Sequence, residues 1–529
     1  MKTICFFVFL LLSSSALNAQ TPVKADTVKP VKADTVKPAE GNVKKQLKEI
    51  KDTKKELNKD SIGNQPKESA RIDTTIQNKY GDLLIDDPEY NKKYQLWKPA
   101  VEIVGLNTLL NLADRSLLKL GYANTDFRTW NYTLHAGWPW GPGWKWDTDR
   151  FGNNFLLHPY FGGMYFNAAR TQGYNYYAST AFALGGAYMW KIFGENGMPE
   201  REDLINTTLS GAFFGEIFYR LSSNILDDRT RGSERVFREI VGGLIDPVRG
   251  FNRLLQGKTF RVTNKEVYEE NPLNVSLYAG MRQVNDSYPS VSGQGNNNLM
   301  INAQFDYGNP FEVRTRKPFD FFKLRMDFNF GVGRKYVDNI TGYGILLGKN
   351  LQLGKMSILV GGFHYYDYLD TKSFELSTIG FGGGVFTKLP ISKTTDLYTN
   401  IHFALVPFAG NSTQRGPDTT QVRDYNFGDG FEAKLETTLN LGKFATASLM
   451  YYYYMIRTFN GLPGDNYIAI LKPRVTVHIF KDLNLGYEHF IYYNDRYLRD
   501  FAPTHTIRTE EKFFLMFYLE APQRKGKYN

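Results

Sequence analysis

The residues best suited to chemistry lie in one glycine- and alanine-rich stretch of this 529-residue chain. His158, Arg170, Glu216 and Arg220 stand there among Phe, Leu and Gly, where an isolated charge is costly. Glu216 and Arg220 are four residues apart, so they can pair on one face of a helix. We therefore predict that these four side chains form one polar cluster where helices meet.

The same residues could serve a membrane-embedded hydrolase that acts on lipid or glycan, which needs a nucleophile, a base and an orienting acid. His158 and Glu216 could be the base and the orienting group. Ser179 or Ser210 would then be the nucleophile, but neither lies in a nucleophile-elbow motif. Structural ion pairing in a packed helical unit is therefore favoured over catalysis.

The composition gives no support to metal, thiol or cofactor chemistry. The chain has seven His, and His158 has no His partner three or four residues away. The only cysteine is Cys5, in a segment predicted to be removed on export. We predict no metal site and no cofactor.

Asn154, His158-Pro159-Tyr160, Gly162 and 168–170 (Ala-Ala-Arg) follow one another closely. This Asn-X-X-X-His-Pro-Tyr-X-Gly…Ala-Ala-Arg pattern resembles an uncharacterised Gram-negative envelope family, over about residues 95-260. The resemblance implies an exported or outer-membrane protein and brings no known activity.

A packed helical unit over residues 95-260 is expected to position these side chains. Apolar residues recur at helical spacing in 99–120, and Gly162, Gly211 and Gly215 would let helices approach closely. Five of the seven tryptophans lie in 130–146; they could stack on sugars, but the headgroup layer of a membrane is favoured. We expect the unit to plug a barrel or to lie on its periplasmic side.

The N-terminal part of the chain predicts export. Lys2 precedes the apolar run 4–12, and Ala19 ends a predicted signal peptide over 1-19. Residues 20-94 are predicted to be a disordered Lys-rich linker, in which octapeptide 22–29 recurs as 30–37. This linker could contact other envelope proteins.

Residues 261-529 change from helical spacing to a period of two. In 322–330, Phe, Leu and Met at even positions alternate with Lys323, Arg325 and Asp327. Twelve or so such segments, in a chain with 34 Tyr and 39 Phe, predict a mainly β fold. The expected architecture is a transmembrane outer-membrane β-barrel of about 12 antiparallel strands, with outer-membrane lipid as its partner.

Charges of both signs fall on the predicted lumen face, so a self-paired, closed or plugged interior is favoured over an ion-selecting pore. They include Arg325, Asp327, Glu432, Lys434, Glu436, Lys472 and Arg474.

The net charge of +10 comes from basic residues interleaved with acids, and we expect no nucleic-acid partner. Four roles stay open: a structural, envelope-assembly or transport component, a gated transporter with a helical plug, the hydrolase and, least favoured, a mainly inner-membrane helical protein with a periplasmic β domain.

Overall fold

The computed structural model describes residues 95–146, 149–263, 267–268, 271–285, 296–330, 336–371, 374–412 and 425–520. The predicted signal peptide over 1-19 and the linker over 20-94 lie outside the described residues.

The described residues before the barrel form seven α-helices. They are α1 Trp97–Leu112, α2 Phe127–Leu134, α3 His158–Arg170, α4 Tyr176–Met189, α5 Arg201–Ile225, α6 Gly232–Ile245 and α7 Pro247–Leu255. Short π-helical turns, Ala113–Leu117, Asn153–Leu157 and Trp190–Gly194, and 3-10 turns, Gly121–Ala123 and Lys258–Phe260, complete this helical unit. None of these helices has both the length and the hydropathy that a membrane-crossing helix needs.

Polar side chains begin several of these helices. The Asp126 carboxylate accepts from the backbone N–H groups of Arg128 and Thr129 at the start of α2. Asp246 caps α7 in the same way, and Pro247 follows at the first helical position, where its missing N–H costs nothing. The chain can therefore turn sharply between consecutive helices of the unit.

Twelve antiparallel strands follow and close into one barrel, in which β1 pairs with both β2 and β12. The strands are β1 Leu273–Asn285, β2 Asn296–Tyr307, β3 Phe322–Phe330, β4 Val337–Leu353, β5 Met356–Asp370, β6 Glu375–Pro390, β7 Thr395–Ser412, β8 Tyr425–Leu441, β9 Ala445–Asn460, β10 Gly464–Phe480, β11 Leu483–Leu498 and β12 Thr504–Glu520. The prediction of about twelve antiparallel strands preceded by helices is confirmed.

Ion pairs between strands that are not neighbours identify the lumen face. Lys323 on β3 reaches Glu436 on β8, with 2.9 Å between Nζ and Oε2. Lys512 on β12 reaches Asp327 on β3 at 3.0 Å. Only side chains that point inward can meet in this way, so the residues between them along each strand point outward.

The outward face is apolar and largely exposed. Ile401, Phe403 and Leu405 on β7 alternate with the buried His402 and Ala404. The same alternation places exposed Leu or Phe residues on strands β2, β4, β9, β11 and β12, and the exposed Met281 on β1. This apolar belt around a closed barrel is the surface that a bilayer covers in transmembrane barrels.

The helical unit packs against the outward face of the wall and not in the lumen, so the expected plug does not form among the described residues. On β5, Tyr365 points inward to Lys434, whereas its neighbour Tyr366 points outward and packs on Phe213 and Phe214 of α5. Leu324 on β3 also faces outward, as its spacing predicts, but the helices bury it. The helices therefore cover part of the belt and leave the lumen to the strands.

The lumen is filled by the strands' own side chains. One apolar cluster includes Leu359, Phe363 and Phe386, and another includes Leu369, Leu376 and Ile456. Charged side chains of β3, β8, β10, β11 and β12 lie in the same interior and are buried, among them Arg325, Asp327, Glu432, Lys434, Glu436, Lys472, Arg474, Glu488, Glu510 and Lys512. Among the described residues, the interior is therefore a packed core.

Candidate functional site

Helices α3 and α5 pack backbone to backbone. A Cβ on Gly162 would meet the Thr207 carbonyl and the Cα of Gly211, and a Cβ on Gly163 would lie 3.3 Å from the Gly215 nitrogen. The small residues that the sequence singled out therefore permit this approach. It brings the end of α3 beside the middle of α5.

Three of the four predicted cluster residues meet at this junction. Arg170 donates two hydrogen bonds to the Glu216 carboxylate, from Nε to Oε2 at 2.7 Å and from Nη2 to Oε1 at 3.2 Å. Arg220 donates from Nε to the same Oε1 at 2.9 Å. All three side chains are buried, so one carboxylate stands between two guanidinium groups in an apolar surround.

Further contacts hold the two arginines. Arg170 also donates to the Tyr174 carbonyl at 3.2 Å, and Arg220 donates to the Pro318 carbonyl, in the connection before β3, at 2.7 Å. The Tyr219 ring lies between Arg170 and a residue that sequence reasoning missed, Arg249 of α7, at 4.2 and 4.4 Å from the two guanidinium carbons. The arrangement locks α3, α5, α7 and the barrel together.

His158 lies at a second place. Its Nδ1 is 3.4 Å from Oδ1 of Asp203 and 3.4 Å from Oγ1 of Thr207. Asp203 and Glu216 are 13 residues apart on α5, which is roughly 20 Å of helix rise. The structure therefore does not bring His158 to the Arg170–Glu216–Arg220 group.

A buried lysine forms the centre of the second place. Lys191 Nζ lies 2.7 Å from Glu195 and 2.8 Å from Glu200, and it also pairs with Asp203. Burial raises the pKa of the Asp203 carboxyl to about 7, although Lys191 acts in the opposite direction. Sequence reasoning missed this group, although the spacing of four between Lys191 and Glu195 suggests an ion pair.

Carboxylates of Glu195, Glu200 and Asp203 lie within 4.8 Å of one another, close enough for a metal ion. The ammonium group of Lys191 contacts all three, so a cation already occupies this position. Within the described part of the chain, the donor set fits a lysine better than a metal.

The hydrolase arrangement does not assemble among the described residues. Asp203 and Thr207 both face the Nδ1 atom of His158, and Glu216 pairs with the arginines. Ser210 donates to Asn206 at 2.6 Å, and the Ser179 hydroxyl contacts the Tyr174 carbonyl at 3.5 Å. Among the described residues, neither serine therefore contacts a base that is itself held by an orienting acid.

The seven predicted lumen charges all point inward and are buried. Arg325 pairs with Asp327 at 2.9 Å and with Glu488 at 2.8 Å, and Arg474 shares Glu488 at 2.7 Å.

The remaining charges continue this pairing across the barrel. Lys434 pairs with Asp367 at 2.6 Å and lies 3.5 Å from Glu432. Glu436 accepts from Tyr452 at 2.6 Å, and Lys472 Nζ lies 4.0 Å from the centre of the Tyr452 ring. Acids and bases thus pair across the interior and Lys472 lies against aromatic rings, so a single-sign lining of the kind that selects ions does not form among the described residues.

Solved structures similar to this chain include outer-membrane porins and channels. The NanC porin matches with 8% identity and a TM-score of 0.27, over 46% of this chain and 100% of the porin. The channel DcaP of Acinetobacter baumannii matches with 8% identity and a TM-score of 0.21, over 47% of this chain and 96% of DcaP. These likenesses carry no argument about function.

No curated protein matches the chain. Residues 143–248, which include α3 to α6, match the family model described as a domain of unknown function, DUF3943. The expected resemblance of this part of the chain to an uncharacterised family is confirmed.

Proposed function

We propose that this protein is a closed outer-membrane barrel with a structural role, in which the barrel anchors the helical unit in the membrane. The observation that carries the proposal is the filled lumen. Cross-barrel ion pairs such as Lys323–Glu436 and Arg325–Glu488 join opposite walls, and apolar clusters occupy the same interior. An open pore would need these contacts to be broken.

The position of the helices supports the same role. They leave the lumen and bind the outward face of the wall, where Tyr366 OH donates to the Phe155 carbonyl and Tyr176 OH lies 2.9 Å from His364 Nδ1. A helical plug that gates transport is therefore not supported. The barrel gives the helices a rigid surface fixed in the membrane, as a component of an envelope assembly requires.

Planar-bilayer recording tests this proposal. Purified protein whose heat-modifiable migration shows a folded barrel should insert without producing conductance steps, whereas an equal amount of a general porin should produce them. Discrete conductance steps from the folded protein would contradict a closed structural barrel and favour a transporter. A pull-down from detergent-solubilised envelopes would identify proteins that the helical unit holds.

A further inference from the structure

Helix α7 has its polarity inverted relative to a helix that faces water. Phe251, Leu254 and Leu255 are 56%, 55% and 69% exposed, whereas Arg249 and Arg253 are 4% and 2% exposed. A helix on a water-facing surface shows the opposite distribution, with its apolar stripe toward the core. The environment around α7 must therefore be apolar enough to accept exposed leucine side chains.

The same inversion holds for α1, at another surface of the unit. Val101, Val104 and Leu109 are exposed, whereas Asn107 is buried. The Asn107 amide donates to the Gly186 carbonyl at 3.2 Å, and its oxygen accepts from the Tyr165 hydroxyl. The Asn107 amide thus has its hydrogen-bond partners inside the unit and needs none outside.

The inward charges of α7 are satisfied in the same manner. Arg253 donates to Asp228 at 2.6 Å and to Glu239 at 3.0 Å. Because the Asn107 amide and the Arg253 guanidinium are paired within the unit, the apolar outer faces of α1 and α7 can leave water without stranding these groups. Exposed apolar side chains grouped on a helix face, as on α1 and α7, mark an interaction surface.

We propose that the outer surface of the helical unit lies in the hydrocarbon and headgroup region of the membrane, where α1 and α7 contact lipid directly. The inference rests on the barrel being transmembrane, as proposed above. The unit is seated on the outward side of the strands, and that side is the lipid-facing belt wherever helices do not cover it. Lipid that surrounds the barrel therefore meets the helices at the edge of this contact.

The tryptophan-rich loop fits the boundary of such a layer. Trp138 and Trp140 are exposed, with ring centres 5.9 Å apart. Arg201 fixes the loop by donating to the Pro139 carbonyl at 2.8 Å and to the Gly141 carbonyl at 2.7 Å. Rigidly held, exposed tryptophans are typical of the headgroup level.

Spin labelling tests the proposal in the full chain. Because Cys5 is the only cysteine, a Cys5→Ser background accepts single cysteines without interference. Nitroxides are placed through Val104→Cys on α1 and Leu254→Cys on α7. Ile401→Cys on the bare belt gives the lipid reference, and Lys393→Cys in the β6–β7 turn gives the water reference. Each variant is reconstituted in phospholipid vesicles after its heat-modifiable migration has been checked.

We expect the labels on α1 and α7 to collide preferentially with dissolved oxygen over a polar nickel chelate, to the same degree as at Ile401. A preference for the chelate, as at Lys393, would place these faces in water and overturn the inference. Protection from both reagents would mean that a protein partner or a second copy covers them, and would overturn it too. If Ile401 itself favours the chelate, the proposed transmembrane barrel fails as well.

Discussion

Glu216 pairs with two buried arginines, Arg170 and Arg220, and its charge should matter more than its shape. Glu216→Gln keeps the volume but removes the charge that pairs with Arg170 and Arg220. We expect a loss of about 3–5 kcal/mol in the free energy of unfolding, the cost of breaking a buried ion pair. Denaturant unfolding in detergent, followed by heat-modifiable migration, measures it.

The matched control is Glu234→Gln on α6, where the exposed carboxylate pairs with Arg238 four residues later at 2.8 Å. That pair should contribute only about 0–1 kcal/mol. Equal, small effects of both changes would refute a structural role for Glu216. A stable, abundant Glu216→Gln protein that has lost its cellular function would instead favour catalysis.

At the scale of elements, the junction of α3 and α5 depends on the absence of a side chain at Gly162. Gly162→Ala places a methyl group against the Thr207 carbonyl and should force the helices apart. We expect a loss of about 1–3 kcal/mol, the usual cost of overpacking. Gly185→Ala on α4 is the control, because a Cβ there meets nothing within 4 Å. Thermal unfolding that is the same for both variants would contradict the close packing.

For the apolar belt, we predict that the cost of adding a charge depends on the depth of the residue in the bilayer. Ile401→Arg should lower the unfolding free energy by about 2–4 kcal/mol if it lies near the bilayer midplane, because it places charge in hydrocarbon. Leu353→Arg, beside the β4–β5 turn, should cost about 0–1 kcal/mol as an interfacial position. Both side chains are exposed, so equal costs in vesicles would argue against a bilayer around the wall.

Period-two patterning predicted the strands and their inward charges because each strand's two faces differ in polarity. The pattern also held a signal that the prediction did not use. In 363–369 of β5, aromatic residues stand on both faces, and the structure buries every one of these positions. A strand with two buried faces needs cover on its outer side.

Helical periodicity could not give the location of the helical unit. A hydrophobic stripe shows that a helix has two different faces, but it does not say whether the apolar one meets a core or a bilayer. The Arg170–Glu216–Arg220 contact was accessible from spacing and burial cost. The position of His158 beside Asp203 depends on where α3 begins relative to α5, which spacing does not contain.

For the whole molecule, the barrel should fold without the N-terminal part of the linker. Residues 20–70 have too few apolar residues to form a core. A variant lacking them, with the signal sequence retained, should still give a heat-modifiable barrel at wild-type abundance. Loss of that migration would show that the segment takes part in assembly, and an internal deletion of α1 serves as the comparison expected to harm the protein.

The inverted polarity of α7 also bears on how the protein reaches its destination. Phe251, Leu254 and Leu255 would be turned toward water during passage between the two membranes, so the final helical arrangement is disfavoured there. The wall that receives α5 exists only after the strands have closed. We therefore expect the helices to reach this arrangement only after barrel closure and lipid together provide the surroundings that they need.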